Sequence, residues 1–297
     1  MSLTFDLKGQ TALVTGASSG LGVTFSRALA NAGANVVLAA RRVDRLEQLA
    51  SEIGAQGGKA LALKCDVGDP SSVATTVAAA WSRFGRVDVL VNGAGVVAEA
   101  ALVPEKVPPE LFEQTVRVNL MGTWYCCREV AALMLADGKG GSLINIASIV
   151  GLSGTANFPP AYQATKAAVI NLTRALACSW ADRGVRVNTI APGWFPSEMT
   201  DQVFAIPAFK QWVTDSAPMK RVGDPEELVP ALLFLATDAS SFVTGHTLVV
   251  DGGLSASSAG GRIPEEVSRI FEEAVPNGLG RRIMPVLSER SESKGLS

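Results

Sequence analysis

The chain is predicted to fold as an α/β protein, an open, doubly wound sandwich of three layers around a seven-stranded parallel sheet. Three observations carry this reading. Short apolar runs suited to buried strands recur seven times, Ala-rich helical segments separate them, and a glycine-rich turn joins the first run to the first helix. Parallel strands need crossovers, so alternating strands and helices point to a parallel sheet covered on both faces. At 297 residues the chain can bury one large core, and α/β sheets of this size commonly form a single domain.

The first strand is expected at 10 to 15, where Thr11-Ala12-Leu13-Val14 is apolar, and Val23 to Asn31 reads as a helix rich in Ala and Leu. Between them lies Thr15-Gly16-Ala17-Ser18-Ser19-Gly20-Leu21-Gly22. A diphosphate needs backbone that approaches without Cβ interference, and a helix N-terminus supplies N–H donors and a favourable dipole. Gly16, Gly20 and Gly22 meet both needs, so a nucleotide cofactor is the first hypothesis. The spacing is G-x-x-x-G-x-G rather than the commoner G-x-G-x-x-G, and the reading rests on the strand–turn–helix context as much as on the letters.

Further strands are expected at 35 to 40, 59 to 65, 87 to 92, 142 to 147, 184 to 190 and 247 to 250. In such sheets ligands bind outside the carboxyl ends of the strands. Ser148 follows the strand that contains Leu143-Ile144-Asn145-Ile146-Ala147, so it is placed at that edge with a hydroxyl able to polarise a substrate oxygen. On the helix beginning near Pro160, Tyr162 and Lys166 lie four residues apart and share one face. An ammonium about 4 Å from a phenol is worth about 4 kcal/mol at an effective dielectric of about 20, enough to bring its pKa from about 10 to about 7 at most. A Tyr/Lys pair of this kind suits proton transfer near neutral pH; on spacing alone an exposed helical pair is the better reading, and Ser148 at the sheet edge tips the balance. Asn119 falls within a helical segment that does not need it for capping; it reads either as an Asn holding a water or as a satisfied core Asn.

At this point the chain resembles the short-chain dehydrogenase/reductase family. TGASSGLG, NGAG at 92 to 95, Asn119, Ser148, YQATK at 162 to 166, RVNTIAPG at 186 to 193 and TGHTLVVDGG at 244 to 253 all fall in the family's order, over roughly residues 5 to 254. The resemblance implies a Rossmann-type fold and hydride transfer between a nicotinamide and a carbonyl carbon. It implies Tyr162 as general acid/base, Lys166 lowering its pKa and holding the nicotinamide ribose, Ser148 orienting the carbonyl, and Asn119 supporting a proton-relay water. For the cofactor it implies Thr15, Gly16, Ser18, Ser19, Gly20, Leu21 and Gly22 in the turn, Asp66 and Val67 at the adenine, Asn92, Ala94 and Gly95, Tyr162 and Lys166, and Pro192, Gly193 and Ser197.

Cofactor choice is read at the end of the second strand, where an acid at Ala40 would bond ribose hydroxyls and repel a 2′-phosphate. The chain instead reads Ala39-Ala40-Arg41-Arg42. Arg41, with Arg42 beside it, resembles the arrangement that prefers NADP(H) over NAD(H), because a guanidinium fork pairs well with phosphate. Three departures from the family pattern stand out: Gly93 where a second Asn is usual, a Ser148 to Tyr162 interval one residue longer than usual, and Ser197 where Thr is usual. The segment Trp194 to Arg221 matches the family's substrate lid and holds Trp194, Phe195, Phe204, Phe209 and Trp212, with Phe158 and Pro159 as a possible opposite wall. An aromatic lid favours a small-molecule carbonyl or alcohol with a sizeable apolar part.

The formal charge of −2 gives no electrostatic reason to expect nucleic acid or an anionic membrane as partner. Without a basic n-region and apolar h-region at the start, or an uncharged apolar run of roughly 18 residues, a soluble cytoplasmic protein is expected. Cys65, Cys126, Cys127 and Cys178 show no metal-ligand spacing, and His246 is the single histidine, so no metal site is expected. Residues 1 to 254 are read as one catalytic domain and 255 to 297 as an extension: a linker over 255 to 262, a short docking helix from Pro264 to Ala274, and a polar, disordered end from Ser288 to Ser297. The resemblance implies a homodimer or homotetramer, assembled through helices at 109 to 136 and 160 to 182. Three other readings remain open here: a 3-oxoacyl-[acyl-carrier-protein] reductase, which would need a basic patch (Arg128, Arg174, Arg183), a non-catalytic NADP(H)-binding regulator, and a scaffold protein that uses its long helices as an interface.

Overall fold

The computed structural model describes residues 5–99, 102–156 and 158–257. Seven strands appear in them: β1 (Thr11–Thr15), β2 (Asn35–Ala40), β3 (Lys59–Lys64), β4 (Val89–Asn92), β5 (Gly141–Ile146), β6 (Val185–Pro192) and β7 (Thr247–Val250). They form one parallel sheet in the order β3-β2-β1-β4-β5-β6-β7. The helices are α1 (Leu21–Asn31), α2 (Val43–Ala55), α3 (Pro70–Phe84), α4 (Pro109–Val116), α5 (Gly122–Asp137), α6 (Pro160–Trp180), α7 (Asp201–Phe204), α8 (Pro207–Ser216) and α9 (Val229–Ala236). The doubly wound sandwich expected from the sequence is the fold observed.

Strand residues alternate between two cores, as a period of two requires. Ala12, Val14, Val36, Leu38, Val89 and Val91 point into a cluster with α1, α2 and α9, whose largest members include Phe25, Leu29 and Leu46. Leu13, Val37, Leu90, Leu143 and Val187 point the other way, against Val77, Cys127, Val130 and Met134 of α3 and α5. Both faces of the central strands β1, β2 and β4 are therefore dry, whereas the edge strands β3 and β7 are only partly covered. Cys65, Cys126 and Cys127 are buried free thiols and Cys178 is exposed.

The chain runs outward from β1 to β3, then crosses back to place β4 on the other side of β1. This reversal leaves a crevice at the carboxyl ends of β1 and β4, where Thr15 and Asn92 are register partners. Gly16 follows at φ 72°, and a Cβ there would stand 2.8 Å from Ala94 Cα, while one on Gly22 would stand 2.2 Å from the Gly16 carbonyl oxygen. The turn can therefore lie flat against both the β4 loop and the start of α1 only with glycine at these two positions.

Between α4 and α5 the helix widens into a π-helical turn, Arg117–Met121, which carries Asn119. Such turns redirect one side chain without breaking the helix. One compact unit takes in Met1–Ala256. The predicted docking helix and polar end, and the linker beyond residue 257, lie outside the described residues.

Candidate functional site

A cleft of about 510 Å³ opens along the carboxyl edge of the sheet. The turn contributes Gly16, Ser18, Ser19, Gly20, Leu21 and Gly22, and the end of β2 contributes Arg41 and Arg42. Asp66, Val67, Ala94, Gly95, Ser148, Tyr162, Lys166, Pro192, Gly193 and Ser197 complete the predicted residues that line it. No side chain caps the N-terminus of α1, and its first turn carries no acid. Open N–H groups, two serines and two arginines form a donor set suited to an anionic dinucleotide, so the residues present fit the cofactor that the sequence implies.

Three predicted site residues sit behind the cleft wall rather than in it. Thr15 Oγ1 donates to the Val91 carbonyl and accepts from the Ala94 N–H, tying β1 to the β4 loop. Asn92 is buried and donates to Asn145 Oδ1 at 2.9 Å and to Cys127 Sγ. Asn119 accepts from the Val96 N–H at 2.8 Å and donates to the Val96 carbonyl at 2.9 Å, so both ends of its amide hold one backbone residue.

Ser148 follows β5 in extended backbone at φ −169° and caps a short turn, Ile149–Gly151. The turn packs on α6 so tightly that a Cβ on Gly151 would stand 2.6 Å from the Lys166 carbonyl carbon. This contact sets the distance between the strand that carries Ser148 and the helix that carries Tyr162 and Lys166. Lys166 is buried, and its Nζ donates to the Ile146 carbonyl at 2.8 Å and lies 5.4 Å over the Tyr162 ring centroid. A Cβ on Gly95 would stand 3.5 Å from Asn119 Oδ1 and 3.6 Å from Lys166 Nζ, so these two side chains flank Gly95.

Electrostatics at the pair depart from the sequence expectation. Burial pushes the Tyr162 phenol up to about 12, with the neighbouring Ser148 side chain acting in the opposite direction. Burial also brings Lys166 down to about 8. Both shifts have one cause: in this enclosed setting the loss of water outweighs the attraction between ammonium and phenolate. The ammonium spends a hydrogen bond on the Ile146 carbonyl and lies 5.4 Å from the ring centroid.

A residue that the sequence reading missed supports the same helix. Glu99 is fully buried, and its carboxylate accepts from the Tyr162 N–H at 2.8 Å and from Thr115 Oγ1 at 2.5 Å. It caps α6 from 63 positions away. Glu99→Ala leaves a first-turn N–H and a hydroxyl unpaired, and should cost about 2 kcal/mol of unfolding free energy in urea titration. A loss below about 0.5 kcal/mol would show that water replaces the carboxylate.

The lid segment lines the cleft with Phe195, Ser197, Glu198, Met199 and Thr200 and then forms α7 and α8. Trp194 is the hub of its aromatic cluster, edge-on to Phe209 at 5.1 Å, Phe204 at 6.1 Å and Trp212 at 6.3 Å between ring centroids. Phe158 joins it to Tyr162, at 6.1 Å from Trp194 and 6.3 Å from Tyr162. The predicted lid and its opposite wall therefore meet beside the phenol.

His246 is used through its backbone, the N–H donating to Asn188 Oδ1. Among the described residues no group of His, Cys, Asp and Glu side chains converges as metal ligands, and no helix is long and apolar enough to cross a membrane.

A family model described as enoyl-(acyl carrier protein) reductase matches residues 16–255. The chain is 39% identical over 253 residues to a gluconate 5-dehydrogenase of Gluconobacter oxydans, covering 85% of this chain and 97% of that protein. It is 38% identical over 250 residues to a 3-oxoacyl-[acyl-carrier-protein] reductase of Synechocystis, covering 84% and 98%. Among solved structures, a gluconate 5-dehydrogenase of Burkholderia cenocepacia in complex with NADP and tartrate superposes with a TM-score of 0.82 at 35% identity, covering 86% of this chain and 98% of that one. With the parallel sheet, the glycine-rich turn and Ser148, Tyr162 and Lys166 at one cleft, these likenesses show that the chain belongs to the short-chain dehydrogenase/reductase family of NAD(P)-dependent oxidoreductases.

Proposed function

We propose that this protein interconverts a ketone or aldehyde and the corresponding alcohol, with NADP(H) as cofactor and Tyr162 as general acid/base. The observation that carries the reading is the meeting of Ser148, Tyr162 and Lys166 in the wall of a cleft whose far end presents Ser18, Ser19, Arg41 and Arg42. A bound NADPH would supply the hydride. Tyr162, a phenol that is protonated at neutral pH, holds the proton that the carbonyl oxygen requires in reduction. Ser148 donates a hydrogen bond to that oxygen, and Lys166 keeps a positive charge beneath the ring as negative charge develops.

The cofactor ring would be held by Lys166, Pro192, Gly193 and Ser197, and the adenosine end by Asp66, Val67 and the two arginines. Arg41 is exposed and makes no hydrogen bond or ion pair within the described residues, so its fork is available to a 2′-phosphate. Arg41→Ala should weaken NADPH by about 1.5 to 3 kcal/mol while leaving NADH nearly unchanged. Equal losses for the two cofactors, measured by fluorescence titration, would reject Arg41 as the discriminator.

The reading is tested by following NADPH and NADH oxidation across a panel of aryl ketones, aldehydes, keto sugars and 3-oxoacyl thioesters. NADPH-selective turnover supports it, and tight binding with no turnover on any member would favour a cofactor-sensing regulator instead. The 38% identity to a 3-oxoacyl-[acyl-carrier-protein] reductase keeps that narrower activity in the panel. Two of the three arginines that would receive an acidic carrier are already beside acids, Arg128 with Glu129 and Arg183 with Asp182. The apolar cluster around Trp194 favours substrates with an aromatic or aliphatic body, and a homodimer or homotetramer remains the expected assembly.

A further inference from the structure

The arginine beside Arg41 is engaged by the chain's own carboxylate. Arg42, the N-cap residue of α2, donates from Nη1 to Glu198 Oε1 and from Nη2 to Glu198 Oε2, both at 2.8 Å. The same guanidinium donates to Ser19 Oγ at 2.7 Å and from Nε to Ser18 Oγ at 3.3 Å. Arg45, one turn along α2, adds longer contacts to both carboxylate oxygens at 3.3 and 3.4 Å. Glu198 comes from the lid segment, 156 positions from Arg42, and it lines the cleft with Ser18, Ser19, Arg41 and Arg42.

A carboxylate and a phosphate present the same two-oxygen edge to a guanidinium fork. Glu198 therefore occupies, in an anion's manner, part of the cradle in which the 2′-phosphate of NADP(H) is expected. We propose that Glu198 is a specificity-determining residue, an internal anion that competes with the 2′-phosphate for Arg42 and so moderates the preference for NADP(H) over NAD(H). The inference rests on the cofactor reading given above.

An ordinary surface ion pair between these two half-exposed side chains would contribute little to stability. Placement is what gives this one a role. It joins the glycine-rich turn, the start of α2 and the lid, and it does so at the mouth of the cleft. NAD(H), which lacks the extra phosphate, leaves the pair intact, whereas NADP(H) must share Arg42 with Glu198 or displace it. Because Glu198 sits on the lid, its release would also free one tether of that segment each time the phosphorylated cofactor enters.

The test is calorimetric titration of NADP+, NAD+ and 2′,5′-ADP into the wild type, Glu198→Gln, Arg42→Ala and the double variant, with far-UV circular dichroism to verify folding. Glu198→Gln should tighten NADP+ and 2′,5′-ADP by about threefold to tenfold and leave NAD+ within about twofold, and the gain should vanish in the Arg42→Ala background. An unchanged or weakened NADP+ affinity in Glu198→Gln would overturn the inference while leaving the cofactor reading in place. A parallel gain for NAD+ would overturn it too, since the effect would then be one of general charge. A wild type that binds neither dinucleotide would remove the cofactor reading itself, and the inference with it.

Discussion

Tyr162→Phe should lower kcat by about a thousandfold or more and leave NADP+ affinity within about threefold. The substitution removes one hydroxyl from a ring that Phe158 contacts edge-on and that covers the Lys166 ammonium. The aromatic packing stays, so the loss is confined to the proton. Single-turnover kinetics and cofactor titration on the same preparation separate the two effects. Retention of more than about a tenth of the wild-type rate would assign the proton to another group. Equal loss of binding and turnover would make Tyr162 a structural support of the cleft.

Lys166→Met should be nearly as damaging to turnover, and it makes a second prediction in the opposite sense for stability. The ammonium is buried and titrates near 8 in the folded chain, against 10.5 when unfolded. Because the folded-state value is the lower one, the stability linked to this group is fully present above pH 10.5 and is lost as the pH falls through about 8. The wild type should therefore gain about 3 kcal/mol of unfolding free energy, relative to Lys166→Met, between those two pH values. Urea titrations of both proteins at pH 7.5, 9 and 10.5 measure the difference. Parallel pH profiles would show that Lys166 reaches water in the native state. Near pH 7 the neutral thioether should leave the fold at least as stable as wild type, which separates a dead enzyme from an unfolded one.

Much of the architecture was legible because its causes are local. Val36-Val37-Leu38 and Leu143-Ile144 are apolar on both faces and can only lie in the middle of a covered sheet. Gly16 and Gly22 announce a turn that meets the backbone of its neighbours, and the four-residue spacing of Tyr162 and Lys166 puts them on one side of α6 whatever surrounds them. What escaped the sequence depends on partners far apart in the chain. Nothing near Glu99 marks it as the cap of α6, and nothing near Glu198 marks it as the partner of Arg42. Thr15, Asn92 and Asn119 look like site residues in order and spacing, yet Thr15 and Asn119 bond the scaffold, as does the Asn92 amide nitrogen, while Asn92 Oδ1 has no partner among the described residues. Burial, which a linear sequence does not display, pushes the Tyr162 phenol up where the spacing to Lys166 pointed down.

A line of buried side-chain hydrogen bonds runs beneath the site. Asn92 of β4 donates to Asn145 of β5, Asn145 donates to Thr173 of α6 at 2.8 Å, and Thr189 of β6 donates to the same Thr173 hydroxyl at 2.7 Å. These groups are closed off from water, so no link can open singly without stranding its neighbours in an apolar interior. Three strands and the middle of α6 are thereby joined in one cooperative block. The Trp194 segment, by contrast, is held by ring contacts and by the Arg42–Glu198 pair, so it is expected to open at lower free energy than the block beneath it. In native-state hydrogen exchange the amides of this block should therefore open only with global unfolding, whereas those of the rim should exchange through local opening.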